Sequence, residues 1–154
     1  MNKENIIKYG NPILAVSLVA ILGTIFTNIG LDWFMTLNTP GDWLNMSIIP
    51  IVWTVIYSLF TIYLLYIVNK EKMNKTLFYY LVINGILNIL WCFIFFTTKS
   101  IFLGQITIII NLLSSFFLLK KIFDTSKTWG YILMIYPTWL TIATTLNTAI
   151  WILN

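Results

Sequence analysis

A chain of 154 residues that is 59% hydrophobic and 9% charged, with a mean hydropathy of +0.88, lies outside the range of soluble domains, in which about 25% of residues are charged. Its net charge of +4 comes from lysines set in short groups between apolar runs, with no arginine, a pattern that marks membrane orientation and not a nucleic-acid surface. The absence of histidine and the single cysteine, Cys92, remove zinc sites, His-dependent triads and intramolecular disulfides, so no metal or resident cofactor is expected.

Charges and turn formers divide the chain into apolar runs at Asn11–Gly30, Ser47–Asn69, Thr76–Thr97, Ile101–Leu119 and Trp129–Leu153. Each is near the roughly 20 residues needed to cross a hydrocarbon core of about 30 Å. Within lipid the backbone must satisfy its own hydrogen bonds, and runs of this length without strict alternation fit helices. The expectation is an all-α membrane protein, a five-helix transmembrane bundle occupying residues 1–154 as a single domain. The first run is long and lacks a small-x-small cleavage site, so it reads as a retained helix. Pro12 and Pro50 fall in the first turns of their runs, where a missing N–H costs little, whereas Pro137 lies inside the last run and should kink it.

Lys3, Lys8, Lys70, Lys72, Lys75, Lys120, Lys121 and Lys127 fall on one side of this arrangement and Lys99 on the other. The positive-inside rule then places the N-terminus in the cytoplasm and the C-terminus outside. Abundant Ile and Asn, with lysine in place of arginine, suggest an AT-rich bacterial genome and hence a plasma membrane.

The connection from Leu31 to Met46 carries Trp33, Phe34, Pro40 and Trp43 beside Asp32 and Asp42. Such a loop is either an interfacial aromatic belt or a lid over a cavity. No carboxylate or lysine falls at the centre of a run, which argues against a proton- or ion-coupled pump.

Uncharged polar residues do occur at depth. Asn84, Asn88, Trp91 and Phe95 recur at helical spacing on one face of the third run, and Trp139, Ala143, Asn147 and Ile150 do so on the fifth. Trp53 and Tyr57 stand four apart on the second. Two readings stay open: amides that bridge helices, or a cavity walled by rings and amides for a flat apolar ligand with polar handles. Gln105, Asn111, Ser114 and Ser115 on the fourth run show no aromatic partner and read as packing or a partner-facing surface.

The order Trp33, Leu37, Pro40, then Ile51-Val52-Trp53-Thr54-Val55-Ile56-Tyr57, then Leu87-Asn88-Ile89-Leu90-Trp91 with Phe95-Phe96, and finally Tyr136-Pro137-Thr138-Trp139, Ala143-Thr144, Leu146-Asn147 and Leu153-Asn154, resembles the TspO/MBR family of tryptophan-rich sensory proteins, related to the mitochondrial translocator protein. The resemblance implies a five-helix bundle, often a homodimer, that binds porphyrins and related hydrophobic ligands under the first loop. By position the ligand would meet Trp53, Tyr57, Asn84, Asn88, Trp91, Phe95, Trp139 and Ala143, with Trp33, Phe34, Pro40 and Trp43 as the lid. The first loop departs from the family pattern, having Pro40-Gly41-Asp42-Trp43-Leu44-Asn45 where Pro-x-Trp-x-Pro-Pro is usual and Phe34-Met35 where a Tyr-Asp pair is common. Alternatives to ligand sensing are a Trp-dependent, photo-oxidative porphyrin-degrading enzyme and a ligand-free membrane scaffold.

Overall fold

A computed structural model describes residues 3–41 and 47–154, with side chains from residue 8 onward, and among these residues every regular element is helical. The helices are α1 (Lys3–Phe34), α2 (Ile48–Asn69), α3 (Lys75–Cys92), which runs directly into a π-helical turn (Phe93–Thr97), α4 (Ile101–Thr125), α5 (Lys127–Leu133) and α6 (Ile135–Leu153). Stretches 8–34, 48–69, 75–97 and 101–125 are long and apolar enough to cross a bilayer. A fifth column is built from α5 and α6, which break at Met134. Pro137 explains the break, because it has no N–H to offer the carbonyl of Leu133 one turn earlier. α6 is also rich in threonine, and Thr138, Thr141, Thr144 and Thr148 each donate to the carbonyl four residues back, so their hydroxyls are satisfied within the helix.

Helix ends carry legible signals. The Asn74 side chain accepts from Leu77 N at 2.9 Å and caps α3, and Ser100 accepts from Leu103 N at 3.4 Å and caps α4. Other boundaries differ from the sequence expectation. α1 begins well before Asn11, so Pro12 lies inside the helix instead of in its first turn. α1 also continues to Phe34, which puts Trp33 and Phe34 on a helix and not in the first loop. Nothing between Leu31 and Phe34 breaks a helix, and the first strong breakers are Pro40 and Gly41, the latter at φ 57°. α4 likewise runs past Leu119 through Lys120 and Lys121 to Thr125, since long lysine stems extend along a helix and carry their charge to the interface.

α1 packs against α2 and α3, and α4 lies between α3 and the α5–α6 column, onto which α2 also closes. One end of the bundle gathers lysines: Lys8 is 4.0 Å from Glu71, Lys72 donates to Thr125 O, and Tyr9 bonds Asn69. Beneath it Tyr63, Leu64, Ile67, Leu77, Leu118, Ile122 and Leu133 form a closed apolar core. At the far end Phe95, Phe96, Leu146 and Ile150 pack with Trp33, Phe34, Leu37 and Trp91. Leucines and isoleucines of α1 (Leu14, Leu18, Ile21, Ile25) and the α4 residues Ile109, Leu113, Phe116 and Phe117 stay exposed, as a lipid-facing surface requires.

Between these ends polar side chains join α3, α4 and α6. Tyr136 donates to Asn84 Oδ1 at 2.6 Å, and Asn84 Nδ2 reaches Asn111 Oδ1 at 3.2 Å and Ser114 Oγ at 3.3 Å. Farther along, Asn147 donates to Gln105 Oε1 and Gln105 to Thr148, both at 2.8 Å. The fourth run's polar residues are therefore internal links, not a partner-facing surface, and Asn111 does have an aromatic neighbour in Tyr136. Buried Gln105, Ile108, Asn111, Ser115, Leu118 and Ile122 form a single helical stripe.

Candidate ligand-binding cavity

The half of the bundle away from the lysines encloses a cavity of about 530 Å³, within the roughly 300–1,000 Å³ typical of small-molecule sites. α2 supplies Trp53 and Tyr57, α3 and its π turn supply Trp91, Cys92, Phe95 and Phe96, and α6 supplies Trp139, Ala143, Leu146 and Asn147. Helical spacing stacks rings along each wall: Trp53 lies on Tyr57 at 5.5 Å and 25°, and Trp91 on Phe95 at 5.8 Å and 23°. α1 forms a fourth wall through Gly23, Thr24, Thr27, Asn28 and Leu31, with Phe34 and Met35 at the rim. Thr24 and Asn28 of α1 and Pro50 and Thr54 of α2 are exposed, so the cavity opens between these two helices.

Six of the residues singled out in the sequence, Trp53, Tyr57, Trp91, Phe95, Trp139 and Ala143, thus share one cavity. Asn84 and Asn88 do not line it. Asn84 is held among Tyr136, Asn111 and Ser114, and Asn88 accepts from the Tyr57 hydroxyl at 3.0 Å, so both face a second cavity nearer the lysines. A helical face extending from Asn84 to Phe95 climbs about 16 Å at 1.5 Å per residue, so its two ends meet different neighbours.

Of the lid residues, Phe34 reaches the cavity and packs on Phe96 at 5.5 Å. Trp33 packs edge-on against Phe95 at 5.7 Å without lining the cavity, Pro40 is half-buried away from it, and Trp43 lies outside the described residues. The start of the first loop is tied down by Asn154, whose side chain accepts from Asn38 N and donates to Asn38 O, both at 3.0 Å.

The wall contributed by α1 escaped the sequence reading. Its signal was present, since Gly23, Thr24, Thr27 and Asn28 form a stripe of small and polar residues in the mainly apolar middle of the helix.

The cavity's polar inventory is distinctive. The indole N–H groups of Trp91 and Trp139 are buried without a hydrogen-bond partner among the described residues. A buried donor left unpaired costs about 1–3 kcal/mol; both indoles belong to side chains that line the cavity, with their N–H atoms sealed from it.

Fold and cavity together define an integral membrane protein of the helical-bundle class with an aromatic-walled internal site. The family model described as TspO/MBR family matches residues 12–152, and the chain belongs to that family. It is similar to a protein from Archaeoglobus fulgidus named tryptophan-rich protein TspO, with 31% identity over 161 residues that cover 97% of this chain and 99% of that one.

Proposed function

We propose that the chain binds a flat, largely apolar ligand bearing hydrogen-bond acceptors in the cavity between α1, α2, α3 and α6, with a metal-free porphyrin as the best match. The observation that carries this reading is the cavity of about 530 Å³ walled by two stacked aromatic pairs, Trp53 with Tyr57 and Trp91 with Phe95. A macrocycle offers π-faces to Trp53 and Trp91, and its carboxylates offer acceptors to Asn28, exposed at the opening between α1 and α2. With no histidine in the chain, haem would lack its commonest axial ligand, which favours the free ring.

Titration of the purified protein with protoporphyrin should quench tryptophan emission saturably. Trp53→Ala and Trp91→Ala, which remove a stacking face, should each weaken binding at least about two- to tenfold, the scale of one aromatic stacking contact. Unchanged affinity in both variants would sink the assignment.

We also propose, from the lysine distribution and composition alone, that the protein lies in a bacterial plasma membrane with its lysine-rich end in the cytoplasm. Cysteine introduced by Lys99→Cys should react with a membrane-impermeant thiol reagent in intact cells, whereas Lys72→Cys should react only after lysis. Buried Cys92 should stay silent in both. The opposite pattern would invert the orientation.

A further inference from the structure

The second cavity, about 590 Å³, occupies the lysine-rich half between α1, α2 and α3. It shares only Tyr57 with the aromatic cavity, so the Tyr57–Asn88 hydrogen bond stands between the two spaces. Its character is different. The walls are mainly aliphatic, with Val16 and Val19 facing Leu64, Leu81 and Ile89, and Phe60 is the main ring on α2. The polar atoms at its inner end are engaged with one another, Tyr136 with Asn84 and Tyr57 with Asn88, so that end offers a ligand little to bond.

At its other end stands Lys8, the one charged residue among the described residues that line the cavity. Its carboxylate neighbour Glu71 is at the 4.0 Å limit and is itself highly exposed, so that pairing is weak and easily exchanged. From Lys8 to Val19 the helix rises about 16 Å, which is half of a hydrocarbon core of about 30 Å. An aliphatic space one leaflet deep, with a cation at the interface end and a satisfied polar floor, fits a hydrocarbon tail whose head is anionic.

We propose that this cavity is a binding site for the acyl chain of an anionic amphiphile, with the carboxylate or phosphate of its head at Lys8. The chemistry is shared by a free fatty acid and by an anionic phospholipid of the surrounding leaflet. The site is independent of the aromatic cavity and of what that cavity binds.

The test uses the full-length protein in phosphatidylcholine nanodiscs with two photoreactive probes, a diazirine fatty acid and a phosphatidylglycerol carrying the diazirine in one tail. Labelled residues are mapped by peptide mass spectrometry. Labelling is expected on Val16, Val19, Leu81 and Ile89, and it should be competed by the unlabelled amphiphile. Whichever probe labels them more strongly identifies the source. Ala15→Trp and Leu81→Trp, which fill the space from opposite walls, should each cut this labelling at least about tenfold, because a close-packed interior leaves no room for the tail. Lys8→Gln should weaken the anionic probe roughly fivefold, the scale of one lysine near an anionic head, and leave the corresponding fatty alcohol unchanged. The proposal is overturned if label spreads over the lipid-facing Leu14, Ile21 and Phe116, if both tryptophan variants label like the parent, or if Lys8→Gln affects acid and alcohol alike.

Discussion

Replacing Gly30 by alanine is expected to destabilise the bundle by about 2 kcal/mol or more, toward the upper part of the roughly 1–3 kcal/mol range for overpacked sites. Gly30 is buried where α1 crosses the π turn. A Cβ built on it would lie 2.0 Å from the Phe96 carbonyl oxygen, 2.5 Å from its carbon and 2.8 Å from its Cα. These are backbone atoms, so no rotamer change relieves the collision and one helix must move. The contact is reinforced around it: Thr97 Oγ1 donates to Phe26 O at 3.2 Å, and the Phe26 and Phe93 rings meet edge-on at 5.2 Å. Pushing α1 away breaks both. Helix propensity works the other way, since alanine is favoured over glycine in a helix by about 0.5–1 kcal/mol. Gly10→Ala in the same helix isolates that term, because a Cβ there meets nothing within 4 Å. Thermal unfolding in detergent should therefore show Gly10→Ala slightly more stable than the parent and Gly30→Ala markedly less. Equal behaviour of the two variants would mean that α1 does not approach Phe96 closely.

That contact shows what the sequence could and could not disclose. The helices were legible because apolar runs of spanning length have few alternatives in lipid. Their ends are less so, because a charge does not by itself end a helix, and Lys120 and Lys121 continue α4. Aromatic spacing brought out Trp53, Tyr57, Trp91, Phe95, Trp139 and Ala143, all of which line one space. The division of Asn84 and Asn88 from that group was not legible. Periodicity reports which residues share a face of one helix, and whether that face meets one neighbour along its whole length depends on helix crossing. Here the lower part of the face meets Asn111 and Tyr136, and the upper part opens on the cavity. The role of α1 was hidden for a related reason. An almost uniformly apolar helix carries no amphipathic signal, and the contrast that matters is between bulky residues facing lipid and small ones facing the site.

The interior polar links also bear on how the cavity keeps its shape. Asn84, Asn111 and Tyr136 fasten α3, α4 and α6 at mid-depth, and Gln105 with Asn147 fastens α4 to α6 beside the cavity. Interhelical hydrogen bonds in membranes average only about 0.6 kcal/mol each, so their larger effect is on register. They hold Trp139 and Ala143 facing inward while the cavity side of α6 remains unfilled.

Filling that side directly is expected to have the largest effect on ligand binding. Ala143 lies one turn beyond Trp139 and one before Asn147 on the cavity wall, and its methyl leaves open the space that a larger side chain would occupy. Ala143→Phe directs a ring into the 530 Å³ cavity from the α6 wall. Porphyrin affinity should fall at least about a hundredfold, because a flat ligand and the new ring compete for the same volume in a site whose walls are close-packed helices. Stability should move the other way or not at all, since filling a cavity commonly adds about 0.5–2 kcal/mol. Ala143→Ser, nearly the same size, should bind within a few-fold of the parent. Loss of quenching together with an unchanged or raised unfolding temperature separates a blocked site from a damaged fold. Retention of tight binding by Ala143→Phe would show that the ligand sits elsewhere, because no flat ligand could then share the narrowed space with the new ring.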